Sequence, residues 1–446
     1  MLFSNEFKRG DILKYSRGLL GIGISAMLCL SMVACAGSST NEPADLSGSA
    51  LSTAGTTIEI MTTWGGVDSK AGTFKEILAK FEGEDNTIKI LNQSIFGDDY
   101  LPTLKTRFAS GNEPDIFGLW PGSDIKFLVK ANKVAELTDK LKQDREWMDS
   151  FAQNSFMYTT YDDKIYGIPF ELVFEGLFIN KDLFKKYRVK IPDNYEELKA
   201  AIEIFISNGI IPIAYNSSAE GSYIYQNMIA SLGGRSGVVD SIKDGMINKH
   251  YLDAMKYLKE LYDMGAFPKD ALTLTSNQRN ELFFTKQAAM IVQGSWFIPY
   301  FDKDDDSVEM IPFPAMTKGS PKVPTGLGGG TFYISKSSWD TPTGEDSTIK
   351  LLKYLTSKES AEFFYERTAL LSNLRIVRGM PYSILAQQSI NFYKNTSEED
   401  LTSIPDHIID RSAWNDIVIQ QFPYFLEGKR SAEEIWSQAV EKMLRN

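Results

Sequence analysis

The order of apolar and polar residues predicts alternating strands and helices from about residue 57 onward. Residues 57–61 alternate as a strand does, and Gly65-Gly66 ends that strand. Apolar residues recur at helical spacing over 74–81, and a second strand is predicted at 88–91. A further helix is predicted before a third strand at 115–120. Strand, helix, strand, helix, strand in this rhythm predicts a mainly parallel sheet covered by helices.

The pattern restarts after residue 171. A strand is predicted at 177–180, and Asn194 with Glu197 forms a capping box that opens a long helix. Later strands are predicted at 288–292 and 331–335. Because about four hundred residues exceed what one hydrophobic core usually organises, two lobes are expected. The predicted fold class is therefore α/β with two lobes, each a mainly parallel sheet flanked by helices.

The N-terminus has the features of an export signal. Lys8, Arg9, Lys14 and Arg17 precede an apolar stretch over about 19–33 that is short for a membrane span. The run that ends at Cys35 resembles a bacterial lipobox, which implies a signal peptide over 1–34 and a lipid on Cys35. Small polar residues over 35–56 predict a flexible tether. A plain secretory signal or a membrane anchor is the alternative.

Composition narrows the function classes. The second cysteine, Cys29, lies in the segment that would be removed, so no thiol would remain for disulfides, catalysis or metal binding. The formal net charge of −11 argues against nucleic acid or anionic lipid as a partner. It also disfavours a strongly anionic ligand. The lipid on Cys35 would suffice for membrane attachment.

Five motifs in order carry a family resemblance. They are Ala109–Ile116 with its Gly and Pro-Asp, Gly167–Phe184 with Asn-Lys-Asp-Leu-Phe, Pro192–Leu198, Gly294-Ser295-Trp296, and the glycine run 328–330 before an Ile-Ser-Lys strand. In these motifs the chain resembles the extracellular solute-binding proteins of bacterial ATP-driven importers, specifically those that bind sugars and oligosaccharides.

The resemblance implies a periplasmic-binding-protein-like fold with a ligand cleft at the hinge. Lobe 1 would comprise 57–170 with 322–340, and lobe 2 would comprise 171–315 with 345–446. The lobes would close on a carbohydrate, and membrane permease subunits would recognise the closed form. The resemblance also implies a monomer.

A sugar site needs exposed aromatic faces and planar polar groups. We therefore take as ligand-binding candidates the residues that follow predicted strands, surround the crossover or form the glycine run: Trp64, Asp98, Asp99, Trp120, Phe170, Glu171, Asn216, Trp296, Gly328 and Gly329. Core packing is the alternative for the tryptophans, a solvated loop for the two aspartates, and a hinge-side turn for the glycines. For Trp147, Trp339, Trp414 and Trp436 we predict core packing.

Catalytic signals are weak. His250 and His407 lack metal-ligand spacing and are predicted at the surface. Side chains of the adjacent Asp98 and Asp99 diverge on extended backbone, unlike the facing pair of a glycosidase. The chain is predicted to bind a carbohydrate without converting it, and to need no cofactor or metal. A receptor for another solute such as a polyol or peptide, a surface glycoside hydrolase or lyase, and a surface adhesin are the alternatives.

Overall fold

The computed structural model describes residues 56–152, 154–375, 379, 381 and 383–445, without the side chain of Asp98. The predicted signal peptide over 1–34, Cys35 and all but the last residue of the tether over 35–56 lie outside the described residues. No helix in the described ranges is long and apolar enough to cross a membrane.

The strands are numbered in chain order. They are β1 (Thr56–Met61), β2 (Ile88–Asn92), β3 (Ile116–Gly118), β4 (Thr160–Tyr161), β5 (Lys164–Ile165), β6 (Gly167–Pro169), β7 (Glu171–Asn180), β8 (Ile211–Ala214), β9 (Ile242–Lys243), β10 (Met246–Ile247), β11 (Ala288–Gly294), β12 (Val308–Ile311), β13 (Val323–Leu327), β14 (Thr331–Ile334), β15 (Leu371–Ser372) and β16 (Leu401–Ser403).

The α-helices are numbered in the same way. They are α1 (Ala71–Glu84), α2 (Tyr100–Ser110), α3 (Ser123–Lys130), α4 (Thr138–Gln143), α5 (Arg145–Ser150), α6 (Lys181–Tyr187), α7 (Tyr195–Ser207), α8 (Tyr223–Val239), α9 (Lys249–Asp263), α10 (Ser276–Phe284), α11 (Lys336–Trp339), α12 (Gly344–Leu355), α13 (Lys358–Thr368), α14 (Ile384–Asn395), α15 (Pro405–Ile408), α16 (Arg411–Ala413), α17 (Phe422–Leu426) and α18 (Ala432–Arg445).

The first lobe is built on a five-stranded sheet of order β2-β1-β3-β14-β6. β1 pairs in parallel with β2 and β3, whereas β14 runs antiparallel to β3 and β6. Apolar side chains of β1, such as Ile58 and Ile60, are buried against α1, α12 and α13. In α1, Phe74, Ile77 and Phe81 recur at helical spacing and supply the buried face.

The second lobe is built on a larger sheet of order β16-β13-β7-β11-β8, with β12 and β15 also pairing with β7. Its central strand β7 is buried along nearly its whole length, which explains its continuous apolar run. Helices α7, α8, α9 and α18 contribute to the core of this lobe, and Trp414 and Trp436 are fully buried there, as predicted.

The two-lobe α/β fold class predicted from the sequence is confirmed, but the expectation of mainly parallel sheets is wrong. In the second sheet β11, β12, β13 and β15 all run antiparallel to β7, and only β8 with β11 and β16 with β13 pair in parallel. A local strand–helix–strand unit such as β1-α1-β2 gives a parallel pair, whereas strands that return from distant segments, such as β13 and β14, pair antiparallel with β7 and β3.

The lobe boundaries differ from the prediction in two places. β13 was expected in lobe 1 as part of 322–340, but it pairs with β7 and β16 of the second sheet. Helices α12 and α13 were expected in lobe 2 as part of 345–446, but Leu352 and Phe364 are buried in the core of the first lobe. Local patterning identifies a strand or an apolar helix face, whereas long-range pairing decides which sheet receives it.

The chain crosses between the lobes three times. It passes from β6 to β7 at Phe170, returns from β13 to β14 through 328–330, and crosses again between α13 and β15. β15 pairs with the first two residues of β7, so the first and third crossings are hydrogen-bonded to each other. These three segments form the hinge.

Candidate functional site

Glu171 lies where the three crossings meet. Its backbone carbonyl accepts a hydrogen bond from the Gly328 amide at 3.0 Å, and its carboxylate accepts one from the Gly330 amide at 2.8 Å. Lys70 Nζ lies 3.7 Å from the same carboxylate. Burial raises the pKa of Glu171, and Lys70 partly opposes that rise. The carboxyl group of Glu171 therefore holds the hinge segments together.

Gly328 and Gly329 make room for hinge side chains. A Cβ at Gly328 would lie 2.3 Å from Glu171 Oε2, and one at Gly329 would lie 2.6 Å from Thr63 Oγ1. Both distances are too short for any real Cβ contact. These contacts favour the alternative interpretation of the two glycines as a hinge-side turn, and ligand contact through their backbone stays a prediction.

Trp64 and Phe170 do not present the exposed aromatic faces expected from the sequence. Trp64 is 1% exposed and packs edge-on against Phe74 and Phe332, with Phe364 also in contact. Phe170 is fully buried and stacks on Phe332 at a centroid distance of 6.0 Å. Both rings belong to the core of the first lobe, because apolar residues from three different segments converge around them.

Asp99 is exposed to solvent, whereas Asn216 is buried. Asp99 is exposed in the turn that precedes α2, which matches the solvated-loop alternative. Asn216 is fully buried, and its Nδ2 donates to Ser218 Oγ at 2.9 Å and to the Leu274 carbonyl at 3.1 Å. Its amide nitrogen shapes the turn that leads into α8, whereas its Oδ1 has no hydrogen-bond partner in the described part of the chain, and a ligand contact stays a prediction.

Trp296 is half-buried at the end of β11, in a 3₁₀ turn over Ser295–Tyr300. Its Nε1 donates to Gln293 Oε1 at 3.1 Å, and its ring meets Tyr223 edge-on at a centroid distance of 5.3 Å. A Cβ at Gly294 would lie 2.0 Å from the Trp296 ring, so the indole lies over the backbone of its own strand end. This geometry fixes the indole and leaves it partly open to solvent.

A partly buried polar network contacts the Trp296 indole through Gln293. Gln293 Nε2 lies 3.4 Å from Asn280 Oδ1 and 3.5 Å from Glu220 Oε2, and Arg279 pairs with Glu220 at 2.7 Å. Arg279 is almost completely buried, and that burial lowers its pKa although Glu220 opposes the effect. Planar amide and carboxylate groups therefore surround the aromatic pair of Trp296 and Tyr223.

A buried carboxyl group lies beside this aromatic pair. Glu175 of β7 is directly opposite Gly294 of β11 in the sheet, and directly opposed residues project to the same face. Glu175 is 1% exposed, and its Oε2 accepts a hydrogen bond from Asn227 Nδ2 at 2.8 Å. Burial raises the pKa of Glu175 well above its usual value, and the nearby Asp406 adds to the rise.

Trp120 of the first lobe meets the second lobe through Arg411. The Trp120 ring is half-buried, and the guanidinium carbon of Arg411 lies 5.8 Å from its centroid. Arg411 Nη1 pairs with Asp406 Oδ2 at 2.9 Å in its own lobe, and its Nε lies 3.4 Å from Asp124 Oδ2 of α3. Burial opposes the charged form of Arg411, but the two carboxylates outweigh burial and raise its pKa.

A second contact between the lobes lies near the hinge. Tyr300, at the end of the Trp296 turn, lies beside Ser69, Asp68 and Lys70 of the first lobe, which influence its pKa. Burial raises the pKa of Tyr300, and the neighbouring Asp68 adds to the rise while Lys70 opposes it. The Trp296 turn of one lobe therefore faces the segment that follows β1 in the other.

His407 is buried, contrary to the surface position expected from the sequence. Its side chain is 9% exposed, and a Cβ at Gly326 of β13 would lie 2.8 Å from its Nδ1. Burial lowers the pKa of His407 from 6.5 to about 4; Asp406 opposes that change, and Arg411 reinforces it. The folded protein therefore holds this imidazole neutral at neutral pH.

The buried imidazole predicts acid sensitivity. Because the unfolded chain binds the proton near pH 6.5 and the folded chain near 4, the stabilising contribution is full above about 6.5 and is lost progressively between 6.5 and 4. The loss is about 1.4 kcal/mol per pH unit within that window. Urea unfolding at pH 7.5 and 5.0 should show a smaller drop in His407→Gln than in the parent. Equal drops in the parent and in His407→Gln would contradict this prediction.

Sequence reasoning missed Tyr223, Glu175, Asn227, Asp406 and Arg411. Of these, only Glu175 carried a usable local signal, because a carboxylate inside the apolar run of β7 is unusual for a buried strand. The other four come from helices α8, α15 and α16, and nothing in their local patterns marks them. Within the described ranges, no group of three or more His, Cys, Asp or Glu side chains is placed to hold a metal ion.

Curated relatives match most of the chain. The multiple sugar-binding protein of Streptococcus mutans is 24% identical over 307 residues, which cover 66% of this chain and 70% of the relative. The maltodextrin-binding protein MdxE of Bacillus subtilis is 25% identical, over 77% of this chain and 78% of the relative.

Solved structures share the fold. A chain from a study of xylan utilization by the thermophilic bacterium Caldanaerobius polysaccharolyticus superposes with a TM-score of 0.75 at 25% identity, over 86% of this chain and 99% of the other. The maltose/maltodextrin-binding domain MalE of Bdellovibrio bacteriovorus, bound to maltotriose, gives a TM-score of 0.69 at 20% identity, over 87% and 100%.

A family model matches a long continuous part of the chain. The model of the bacterial extracellular solute-binding proteins matches residues 67–362, which include β2 to β14 and both lobes. With the two-lobe fold and the three hinge crossings, this match shows that the chain belongs to the bacterial extracellular solute-binding protein family.

Proposed function

We propose that this protein is the substrate-binding subunit of an ATP-driven importer, and that it captures a neutral carbohydrate, an oligosaccharide, between its lobes. Delivery to membrane permease subunits is part of the proposal. So is a lipid on Cys35, which rests on the lipobox-like run before that residue and would hold the protein at the outer face of the cell membrane.

The aromatic pair of Trp296 and Tyr223 carries this proposal. A sugar ring presents a flat face of C–H groups ringed by hydroxyls, and a half-exposed indole with amides and carboxylates around it complements both. Gln293 and Glu220 lie beside the pair in the second lobe. Relatives such as the maltodextrin-binding protein MdxE of Bacillus subtilis are named for ligands of the same class.

We propose binding without chemical conversion. The relatives are named as binding proteins, and the groups described above hold the hinge and the aromatic pair in place. Incubating the purified chain with polysaccharides and measuring released reducing ends checks this directly. Product formation above a Glu175→Leu control would move the assignment to a glycoside-active enzyme.

The main experiment is a thermal-shift screen of the purified chain followed by calorimetry. The probes are maltotriose, xylotriose, raffinose and chitotriose, with a tripeptide as the non-sugar probe. A ligand that binds only the folded state at 1,000 times its Kd stabilises that state by about 4 kcal/mol, so at least one sugar should raise the Tm. Trp296→Ala should weaken that sugar's binding about 30-fold, as expected for loss of a central aromatic anchor.

Tyr424→Ala is the matched control, because Tyr424 is 51% exposed on α17 and lies outside the aromatic pair. Its affinity should equal that of the parent. Carbohydrate capture would be contradicted if the protein is folded and no sugar raises its Tm, or if only the tripeptide raises it. Equal losses in both variants would contradict the stacking role of Trp296.

A further inference from the structure

Several buried polar atoms next to the aromatic pair have no hydrogen-bond partner within the described part of the chain. They are Glu175 Oε1, Asn227 Oδ1 and Asp406 Oδ1. Glu175 and Asn227 are 1% and 0% exposed. Folded proteins satisfy the large majority of buried polar atoms, so several unpartnered ones in one place indicate a group that binds there.

These atoms belong to adjoining elements. Asn227 of α8 donates to the other oxygen of Glu175 at 2.8 Å, which places its amide against β7. Asp406 of α15 influences both Glu175 and Tyr223 electrostatically, and its backbone amide donates to Gln226 of α8 at 3.3 Å. Three elements of the second lobe therefore bring these side chains to one location.

This location lies beside the aromatic pair. Because Glu175 is directly opposite Gly294, its side chain projects to the face on which the Trp296 indole lies. Tyr223 opens α8 one turn before Asn227, and Asn227 Nδ2 donates to the Tyr223 carbonyl at 2.9 Å. A ring stacked on Trp296 would thus direct one edge toward Glu175 and Asn227.

We propose that Glu175, Asn227 and Asp406 form a polar subsite that receives adjacent hydroxyl groups from one edge of a neutral sugar ring. This inference rests on the proposed function and adds the residues that select the ligand. The subsite requires a sugar ring whose hydroxyl groups at that edge are unsubstituted and which carries no carboxylate there.

The chemistry of the subsite favours hydroxyls over other groups. Carboxylate and amide oxygens accept hydrogen bonds, and a hydroxyl group supplies the donor that they lack. A hydroxyl also accepts, so it satisfies Glu175 whether or not that carboxyl carries a proton. A uronic acid carboxylate would instead face two acidic side chains and an amide oxygen, and such repulsion excludes a ligand effectively.

Glu175→Leu is the decisive variant. It removes the unpartnered oxygen, and Asn227 Nδ2 keeps its bond to the Tyr223 carbonyl. The Tm of the unliganded protein should change little, because the loss of the hydrogen bond between Asn227 Nδ2 and Glu175 Oε2 is offset by removal of the desolvation penalty of a buried carboxyl group. Affinity for the best of maltotriose, xylotriose, raffinose and chitotriose should fall about 10- to 100-fold, as expected when a buried hydrogen-bonding partner of the ligand is lost.

Asn227→Leu provides a second test on another element, with the same expected loss. Glu203→Leu on the exposed side of α7 is the matched control and should bind like the parent. The parent should also bind trigalacturonate at least 100-fold more weakly than its best neutral sugar.

The outcomes separate the two proposals. Sugar binding that depends on Trp296 but is unchanged in Glu175→Leu and Asn227→Leu would overturn the subsite and leave carbohydrate capture standing. Tight binding of trigalacturonate would also overturn the subsite alone. A Tm rise with calcium chloride that disappears in Glu175→Leu would show a cation site in its place. Absence of any sugar binding by the parent would overturn the proposed function itself.

Discussion

Arg411→Ala is expected to lower the free energy of unfolding by about 3 kcal/mol and to separate the two lobes. Removing one partner of a largely buried ion pair leaves an uncompensated charge, which costs about 3–5 kcal/mol. The lower end applies because Asp124 keeps Lys105 Nζ at 2.8 Å. Asp406, whose side chain is 14% exposed, would lose the only cation paired with it in the described ranges.

The position of Arg411 gives the loss a second consequence. Besides its ion pairs, its backbone amide donates to Ser123 Oγ of the first lobe at 2.7 Å, and its guanidinium lies over Trp120. The same Asp406 side chain holds Arg411 with one oxygen and belongs to the proposed subsite with the other. The carboxylate of Asp406 would therefore contact both the bound ligand and the residue that joins the two lobes.

Urea unfolding and small-angle X-ray scattering measure the two effects of Arg411→Ala. We expect a lower unfolding free energy, a larger radius of gyration without ligand, and faster ligand dissociation. Arg411→Lys should recover part of the stability, because it restores the charge but not the planar fork. Arg445→Ala removes an exposed pair with Glu441 and should change none of these quantities. An unchanged radius of gyration and dissociation rate in Arg411→Ala would contradict a role in holding the lobes together.

Trp64→Ala is expected to destabilise the first lobe by about 3–5 kcal/mol, the range for removing a large aromatic side chain from a packed core. Trp64 is 1% exposed and touches Phe74 of α1, Phe332 of β14 and Phe364 of α13. Its removal would leave a cavity between α1, β14 and α13. Segments far apart in the chain would lose their common contact.

Trp64→Phe should cost much less, because it keeps most of the aromatic volume, and it serves as the control. Urea unfolding of the three proteins gives the comparison, and calorimetry with the best sugar should give equal affinities for the parent and Trp64→Phe. If Trp64→Ala kept the parent's stability but lost sugar affinity, Trp64 would be a ligand contact, as its place after a strand first suggested.

The contrast between Trp64 and Trp296 shows how far local patterning reaches. Both follow a strand and lie within two residues of a glycine, and the sequence predicts an exposed aromatic face for each. In the structure Trp64 is enclosed by three phenylalanines, whereas Trp296 lies over Gly294 and stays half-buried. Neighbouring residues cannot distinguish these outcomes, because the enclosing rings come from residues up to 300 positions away.

Glu171 and Glu175 make the same point for polar groups. Sequence reasoning selected Glu171 because it follows the crossover, and the structure places it among the hinge segments, bonded to Gly330 and Lys70. It passed over Glu175, which lies opposite Gly294 and beside the Trp296 indole. The partner of a strand residue is set by register with a distant strand, and that register is absent from the local pattern.

The sequence by itself determined the α/β class, the two lobes and the family, because hydrophobic periodicity, turn residues and ordered motifs are local properties of the chain. The tertiary structure alone decided that β13 joins the second sheet, that α12 and α13 cover the first, and that Arg411 joins Asp406 to Asp124. Each of these depends on which surfaces meet after the chain has crossed the hinge three times. Strand pairing and the burial of ion pairs are properties of that assembly and of no single segment.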